Sequence, residues 1–135
     1  MDKKIVRINV IWEDNYGAYC ELLPGCVAVH DTLSGVKKGI ISAIEFHLEG
    51  MREDGDDIPE VFLGEYEFEF KLNVKALMER YKGVLTPAGL ERLTGINKRQ
   101  LQHYSTGLHN PFPTQRKKIE RALHAFGKEL QEVEL

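Results

Sequence analysis

Val6, Ile8, Val10 and Trp12 alternate with Arg7, Asn9 and Ile11 across residues 4–13, and this two-residue period predicts a strand with one buried face. Residues 15–17 read as a turn, 18–23 as a second strand, Pro24 and Gly25 as another turn, and 26–29 as a third strand, together a three-stranded meander. The period then changes. Asp31 or Thr32 can cap a long helix in which Leu33, Val36, Ile40, Ile44, Leu48 and Met51 recur at helical spacing, so that one face covers the sheet. That helix should stop before Gly55. An acidic loop with Glu53, Asp54, Asp56 and Asp57 leads to Ile58 and Pro59. Beyond it Tyr66, Phe68, Phe70 and Leu72 alternate with Glu65, Glu67, Glu69 and Lys71, a fourth, one-sided strand.

From Asn73 onward the pattern is helical, with Val74, Leu77, Met78 and Tyr81 as an apolar stripe that ends near Gly83. The fold class expected is therefore α+β. Residues 1–72 form a sheet with one long helix, and residues 73–135 form an all-helical domain. The last helix is expected from Thr114, with Ile119, Ala122, Leu123, Phe126 and Leu130 facing inward.

Residues 86–107 read as two short helices joined by a glycine turn. Thr86 is a good N-cap and Pro87 suits the first helical position, while Leu90 and Leu93 face inward. Gly95 accepts the left-handed conformation of a C-cap, Ile96 plugs the turn, Asn97 caps the second helix, and Leu101 and Tyr104 face inward. Asn97, Lys98, Arg99, Gln100, Gln102 and His103 remain outward. Cations for phosphates and amides for base edges suit a recognition helix in a major groove, whereas the plainer alternative is a helical hairpin with a polar face. Tyr104 and the loop with Gly107, His109 and Asn110 offer further positioning contacts. Arg116, Lys117, Lys118 and Arg121 open the last helix, where they either meet a phosphate backbone or simply face solvent.

Charge sharpens this division. Residues 1–72 carry 7 Lys+Arg against 15 Asp+Glu, a balance of −8, and residues 73–135 carry 11 against 6, a balance of +5. A polyanion is drawn to the second half and repelled by the first, which argues for two modules with different partners. Glu53, Asp54, Asp56 and Asp57, with the row Glu65, Glu67 and Glu69, form either a solubilising surface or a face for a basic, RNA-handling partner.

The remaining chemistry is sparse. Cys20 and Cys26 lack metal-ligand spacing and flank a turn, so free thiols are expected rather than a disulfide. His47 and His124 have no carboxylate or second histidine at the helical spacing of a metal site, and capping explains Asp31 beside His30. There is no phosphate-binding glycine loop and no nucleophile motif. The acids cluster in a loop and on an outward strand face rather than converging as a two-metal nuclease requires. No enzyme activity, cofactor or metal is expected. No apolar run approaches the length of a membrane span, no signal-peptide core follows Met1, and a cytoplasmic location without membrane association is expected.

In the order and spacing of its motifs, most of the chain resembles the HicB-type antitoxins, partners of small RNA-cleaving toxins in bacterial toxin-antitoxin pairs. The motifs that carry the resemblance in the first half are PGC at residues 24–26, DTL at 31–33 opening a long helix, and Ile58-Pro59. In the second half they are TGIN at 94–97, YSTG at 104–107 and the basic last helix. The resemblance implies a partial, non-catalytic RNase H-like module followed by a phage-repressor-like helix-turn-helix. It also implies a protein that occludes a small basic toxin with its first half and represses its own operon through operator DNA with its second. Self-association as a dimer or higher oligomer is expected, because two-fold symmetry matches palindromic half-sites. Glu91 departs from the pattern, since first helices of such pairs usually place a small residue there. A repressor whose first half senses a ligand or a protein is the alternative, and a metal-dependent nuclease a third.

Overall fold

The computed structural model describes residues 3–135 and shows an α+β chain with a four-stranded mixed sheet and, among the described residues, five α-helices. It divides into two compact units, one up to Ala76 and one from Leu77 on.

The first unit is built on strands β1 (Lys4–Trp12), β2 (Tyr16–Tyr19), β3 (Val27–His30) and β4 (Tyr66–Leu72), in the order β3-β2-β1-β4. β1, β2 and β3 form the expected antiparallel meander. β4 lies parallel to β1, with Ile5 opposite Glu67, Arg7 opposite Glu69 and Asn9 opposite Lys71. A parallel return needs a long crossover, and helix α1 (Leu33–Asp54) supplies it. Thr32 is the N-cap, its Oγ1 accepting the Gly35 N–H at 3.0 Å, and Gly55 closes the helix in the left-handed conformation. Val36, Ile40, Ile44 and Leu48 are buried against Val6, Ile8, Val10, Tyr16 and Ala18. Each such side chain contributes about 1.5–3 kcal/mol by leaving water. A 3-10 turn, Glu60–Phe62, places Phe62 beneath the start of β4, and Lys4 Nζ donates to the carbonyls of Glu60 and Leu63 at 3.0 Å each.

Two boundaries differ from the sequence pattern. The first hairpin turns at Glu13 to Asn15, with Asp14 at φ 64°, so β2 starts at Tyr16 and ends at Tyr19 rather than running over 18–23. Residues 20–26 instead form consecutive turns, Leu23 N–H bonding the Cys20 carbonyl and Cys26 N–H the Leu23 carbonyl, and Cys20, Leu23 and Cys26 point into the core. An apolar alternation therefore arose from a loop that plugs the core.

Helix α2 (Val74–Arg80) begins in the first unit. Asn73 donates its N–H to the Val10 carbonyl at 3.0 Å and caps α2 by accepting the Ala76 N–H at 2.8 Å, while Val74 and Ala76 are buried. Lys75 pairs with Glu13 at 3.2 Å. The division consequently falls at 76/77 instead of 72/73. Lys75 moves with it, so the first unit holds 8 cations against 15 acids, or −7, and the second 10 against 6, or +4.

The second unit contains α3 (Pro87–Thr94), α4 (Lys98–Thr106) and α5 (Pro113–Gln131). α3 packs against both α4 and α5. Its core is Met78, Leu90, Thr94, Ile96, Leu101, Tyr104 and Ile119. Thr94 is buried and satisfied, its Oγ1 donating to the Leu90 carbonyl at 2.6 Å and accepting the Ile96 N–H at 3.0 Å, whereas His103 Nδ1 is buried without a hydrogen-bond partner among the described residues. Tyr81 and Leu130, expected on inward stripes, are exposed because α2 ends at Arg80 and the last turns of α5 run beyond the packed core.

Candidate functional site

The outward face of the second unit is set by the turn between α3 and α4. Thr86 Oγ1 accepts the Gly89 N–H, Pro87 occupies the first turn, and Gly95 stops α3 at φ 77°. Asn97 then caps α4, its Oδ1 accepting the Arg99 N–H at 2.8 Å. With Leu101 facing inward, the period of 3.6 residues turns Arg99, Gln102, His103 and Thr106 toward the opposite face. Arg99, Gln102 and Thr106 are exposed.

The residues expected to touch nucleic acid are not equivalent. Lys98, Arg99, Gln102, Lys117 and Lys118 are exposed and free to reach a ligand. Asn97 is exposed, but its side-chain oxygen is committed to the cap. Gln100 is half-buried, with Oε1 3.4 Å from His109 Nδ1. His103 is half-buried as well, its ring edge-on to His109 with centroids 4.6 Å apart. Tyr104 is a correction. It is only 3% exposed because it lies on the same inner face as Leu101, so its ring is core rather than contact surface. Thr106 and Arg92 are also exposed, turned outward by their spacing from Leu101 and Leu90.

Glu91 behaves differently from a residue that holds two helices apart. It is exposed, and its Oε2 accepts the Lys98 N–H at 2.6 Å, so the carboxylate covers the positive end of α4 while smaller contacts at Leu90 and Thr94 close the helix pair.

Electrostatically the helix starts are unusual. Neither α4 nor α5 has an acidic residue in its first turn; Lys98 and Arg99 open α4, and Arg116, Lys117 and Lys118 lie near the start of α5. Lys98 and Arg99 oppose the macrodipole of α4, a cost of a few tenths of a kcal/mol to about 1 each that the Glu91 carboxylate already offsets in part, while Lys117 and Lys118 lie beyond the first turn of α5 and outside the reach of that effect. Arg116 leans back on the loop, its Nη1 3.4 Å from the Pro111 carbonyl.

In the first unit the acidic residues do not form one cluster. Glu53 and Asp54 end α1 and Asp56 and Asp57 follow it, whereas Glu65, Glu67 and Glu69 project from the sheet face that α1 does not cover. Arg7 partly offsets the row, 3.9 Å from Glu69. The same open face holds a cleft of about 340 Å³ lined by Ile5, Arg7, Asn9, Glu21, Leu22 and Lys71. Among the described residues no group of three or more His, Cys, Asp and Glu is placed to hold a metal ion. Cys20 and Cys26 are buried free thiols; burial, and then the neighbouring Cys20, push the Cys26 thiol above its ordinary value. No helix is long and apolar enough to cross a membrane among the described residues.

The chain is 41% identical over 46 residues to an uncharacterized 14.9 kDa protein in the rep-hol intergenic region of Haemophilus phage HP1. That similarity covers 34% of this chain and 35% of the phage protein. No family model and no solved structure matches.

Proposed function

We propose that this chain is a HicB-type antitoxin, in which the helical unit binds operator DNA and the sheet unit neutralises a small basic RNA-cleaving toxin. In this reading α3 and α4 act as a helix-turn-helix, and the sheet unit is a partial RNase H-like module without catalysis. The observation that carries it is the exposed face of α4 with Arg99 and Gln102, in a unit of charge +4 with Lys98 and Arg99 at the start of α4 and Arg116, Lys117 and Lys118 near that of α5. Such an arrangement gains from a phosphate backbone. The companion unit, at −7, is repelled by nucleic acid and attracts a basic protein. The parallel return of β4 beside β1 through one long helix is compatible with the RNase H-like reading.

The test is a randomised-operator selection with the full chain, followed by co-expression with the small reading frame adjacent to its gene. A selected DNA sequence and relief of RNA cleavage by the co-expressed product support the antitoxin. DNA selection without a toxic neighbour supports the second reading, a repressor with a sensing first unit, which the cleft on the open sheet face favours. Metal-dependent cleavage of RNA, DNA or hybrid by the purified chain would overturn both.

A further inference from the structure

β2 and β3 run antiparallel, with Tyr16 opposite His30, Gly17 opposite Val29, Ala18 opposite Ala28 and Tyr19 opposite Val27. One step further along this register Cys20 stands opposite Cys26. Successive pairs of a ladder face opposite sides of the sheet. Tyr19 and Val27 are exposed on the open side, Ala18 and Ala28 belong to the core, and the cysteines return to the core side at 2% and 5% exposure. The Cys26 N–H donates to the Leu23 carbonyl at 3.0 Å and the Cys20 carbonyl accepts the Leu23 N–H at 3.2 Å, so the two cysteines do not bond each other through the backbone. Opposed residues of that kind in a ladder lie about 4.5 Å apart at Cα, and a disulfide spans about 4.4–6.8 Å.

The sulfurs are neighbours as well. Burial first, and then Cys20 itself, raise the Cys26 thiol, and one thiol acts on another in this way only at close range. Both cysteines are free. The segment that joins them has turns in place of a ladder: Glu21, Leu22, Pro24 and Gly25 are exposed, and Gly25 reverses the chain at φ 86°. Such a segment opens locally at less cost than the sheet, which gives a reagent access to thiols that the closed loop buries. Two isolated buried cysteines would be no more than small apolar core residues. Two that oppose each other across paired strands, on the same face, are a dithiol.

We propose that Cys20 and Cys26 are a reversible modification site, closed to an intramolecular disulfide across the ends of β2 and β3 by a low-molecular-weight disulfide such as oxidised glutathione. One cysteine loses its proton, and its thiolate attacks the reagent, forming a mixed disulfide and releasing one glutathione thiolate. The other cysteine, deprotonated in turn, attacks the protein sulfur of that mixed disulfide and expels the second glutathione. The protein gives up two protons and two electrons, and the reagent becomes two thiols. A dithiol reductant reverses both steps. The bond closes a ring over residues 20–26 and ties β3, an edge strand of the sheet, to β2. It also fixes Glu21 and Leu22, which rim the cleft on the open face, where Asn9 Nδ2 donates to Glu21 Oε1 at 3.5 Å. Closing this loop in the unfolded chain stabilises the sheet unit under oxidising conditions, while a reducing compartment keeps the thiols as core side chains.

The full chain is held folded overnight with excess oxidised glutathione, because exchange at buried thiols is slow, then quenched in acid, alkylated in denaturant and mapped by peptide mass spectrometry. A link between Cys20 and Cys26, lighter by two hydrogens and lost on treatment with dithiothreitol, is expected. Cys20→Ala and Cys26→Ala should each stop at the glutathione mixed disulfide. The oxidised parent should melt at least about 4 °C above the reduced one, and the double alanine variant should melt at one temperature in either buffer. That redox difference separates the site from the packing that any core cysteine supplies. Thiols that stay free in the folded chain, a parent that stops at the mixed disulfide, links between chains instead of within one, or an oxidised parent that melts no higher than the reduced one would each overturn the proposal.

Discussion

The sheet unit and the helical unit are stabilised by contacts of different reach. Val6, Ile8 and Val10 on β1 meet Val36, Ile40, Ile44 and Leu48 on α1 and lie beside β4, so the core of the first unit joins segments distant in sequence. The second unit closes over much shorter loops, with most of its core, Leu90 to Tyr104, inside the α3–α4 pair and Ile119 added from α5. Long-range contacts cost more chain entropy to form. The basic helical module is also the one with the smaller core, and the surface proposed to meet DNA rests on few buried side chains.

The largest effects should come from breaking those cores. Leu101→Ala should cost about 2–5 kcal/mol and unfold the helical unit while the sheet signal in circular dichroism persists. Ile44→Ala should cost a similar amount against a larger reserve, so its loss should appear as a lowered melting temperature rather than an unfolded chain. A single transition lost together in both variants would show that the units are not separately stable.

Next in size is Arg99→Ala. A lost bidentate contact to guanine should relax preference at one base pair by about 1–3 kcal/mol and leave others unchanged, as read by operator selection. Changing Lys117 and Lys118 together to Ala should weaken binding to all sequences and flatten the salt dependence by roughly one unit of slope per contact. Slopes identical to the parent's would remove the start of α5 from the footprint.

Glu91→Gln sharpens the comparison on a smaller scale. Removing the carboxylate from the α4 N-terminus should lower thermal stability by about 0.3–1 kcal/mol and tighten DNA binding, because a negative charge leaves the surface proposed to meet phosphates. Looser binding at unchanged stability would contradict this. In the sheet unit the upward shift of the Cys26 thiol predicts slow modification by a thiol reagent until the chain is unfolded. Since the folded-state value is raised, its stabilisation is complete below the ordinary thiol range and is lost as pH rises through the raised value.

Much of the fold is written in local periodicity. The alternation of Val6, Ile8 and Val10, the stripe from Val36 to Leu48 and the caps at Thr86, Gly95 and Asn97 each lie where that pattern puts them. What the pattern does not contain is partnership at a distance. Nothing in residues 66–72 says that the strand returns parallel to β1, and nothing in Leu23 or Cys26 separates a strand from a loop that fills a core. The candidate site shows the same limit at single residues. Tyr104 faces inward by its spacing yet carries a hydroxyl that suits a contact, and only packing decides between the two. Glu91 is a helix cap seven residues away from the N–H it accepts, a relation that no short motif expresses.

Asn73 has a consequence for how such modules can be exchanged between genes. It ends β4 with a bond to Val10 and starts α2 with a cap on Ala76, so the visible change of period is inside the sheet's own core rather than at its border. A recombination that replaced everything from residue 73 would import a new helical unit and discard the Asn73 cap with Val74, Lys75 and Ala76, leaving the sheet's core open. A junction after Ala76 keeps the donor sheet whole, and shuffled descendants of this chain should carry their crossover there.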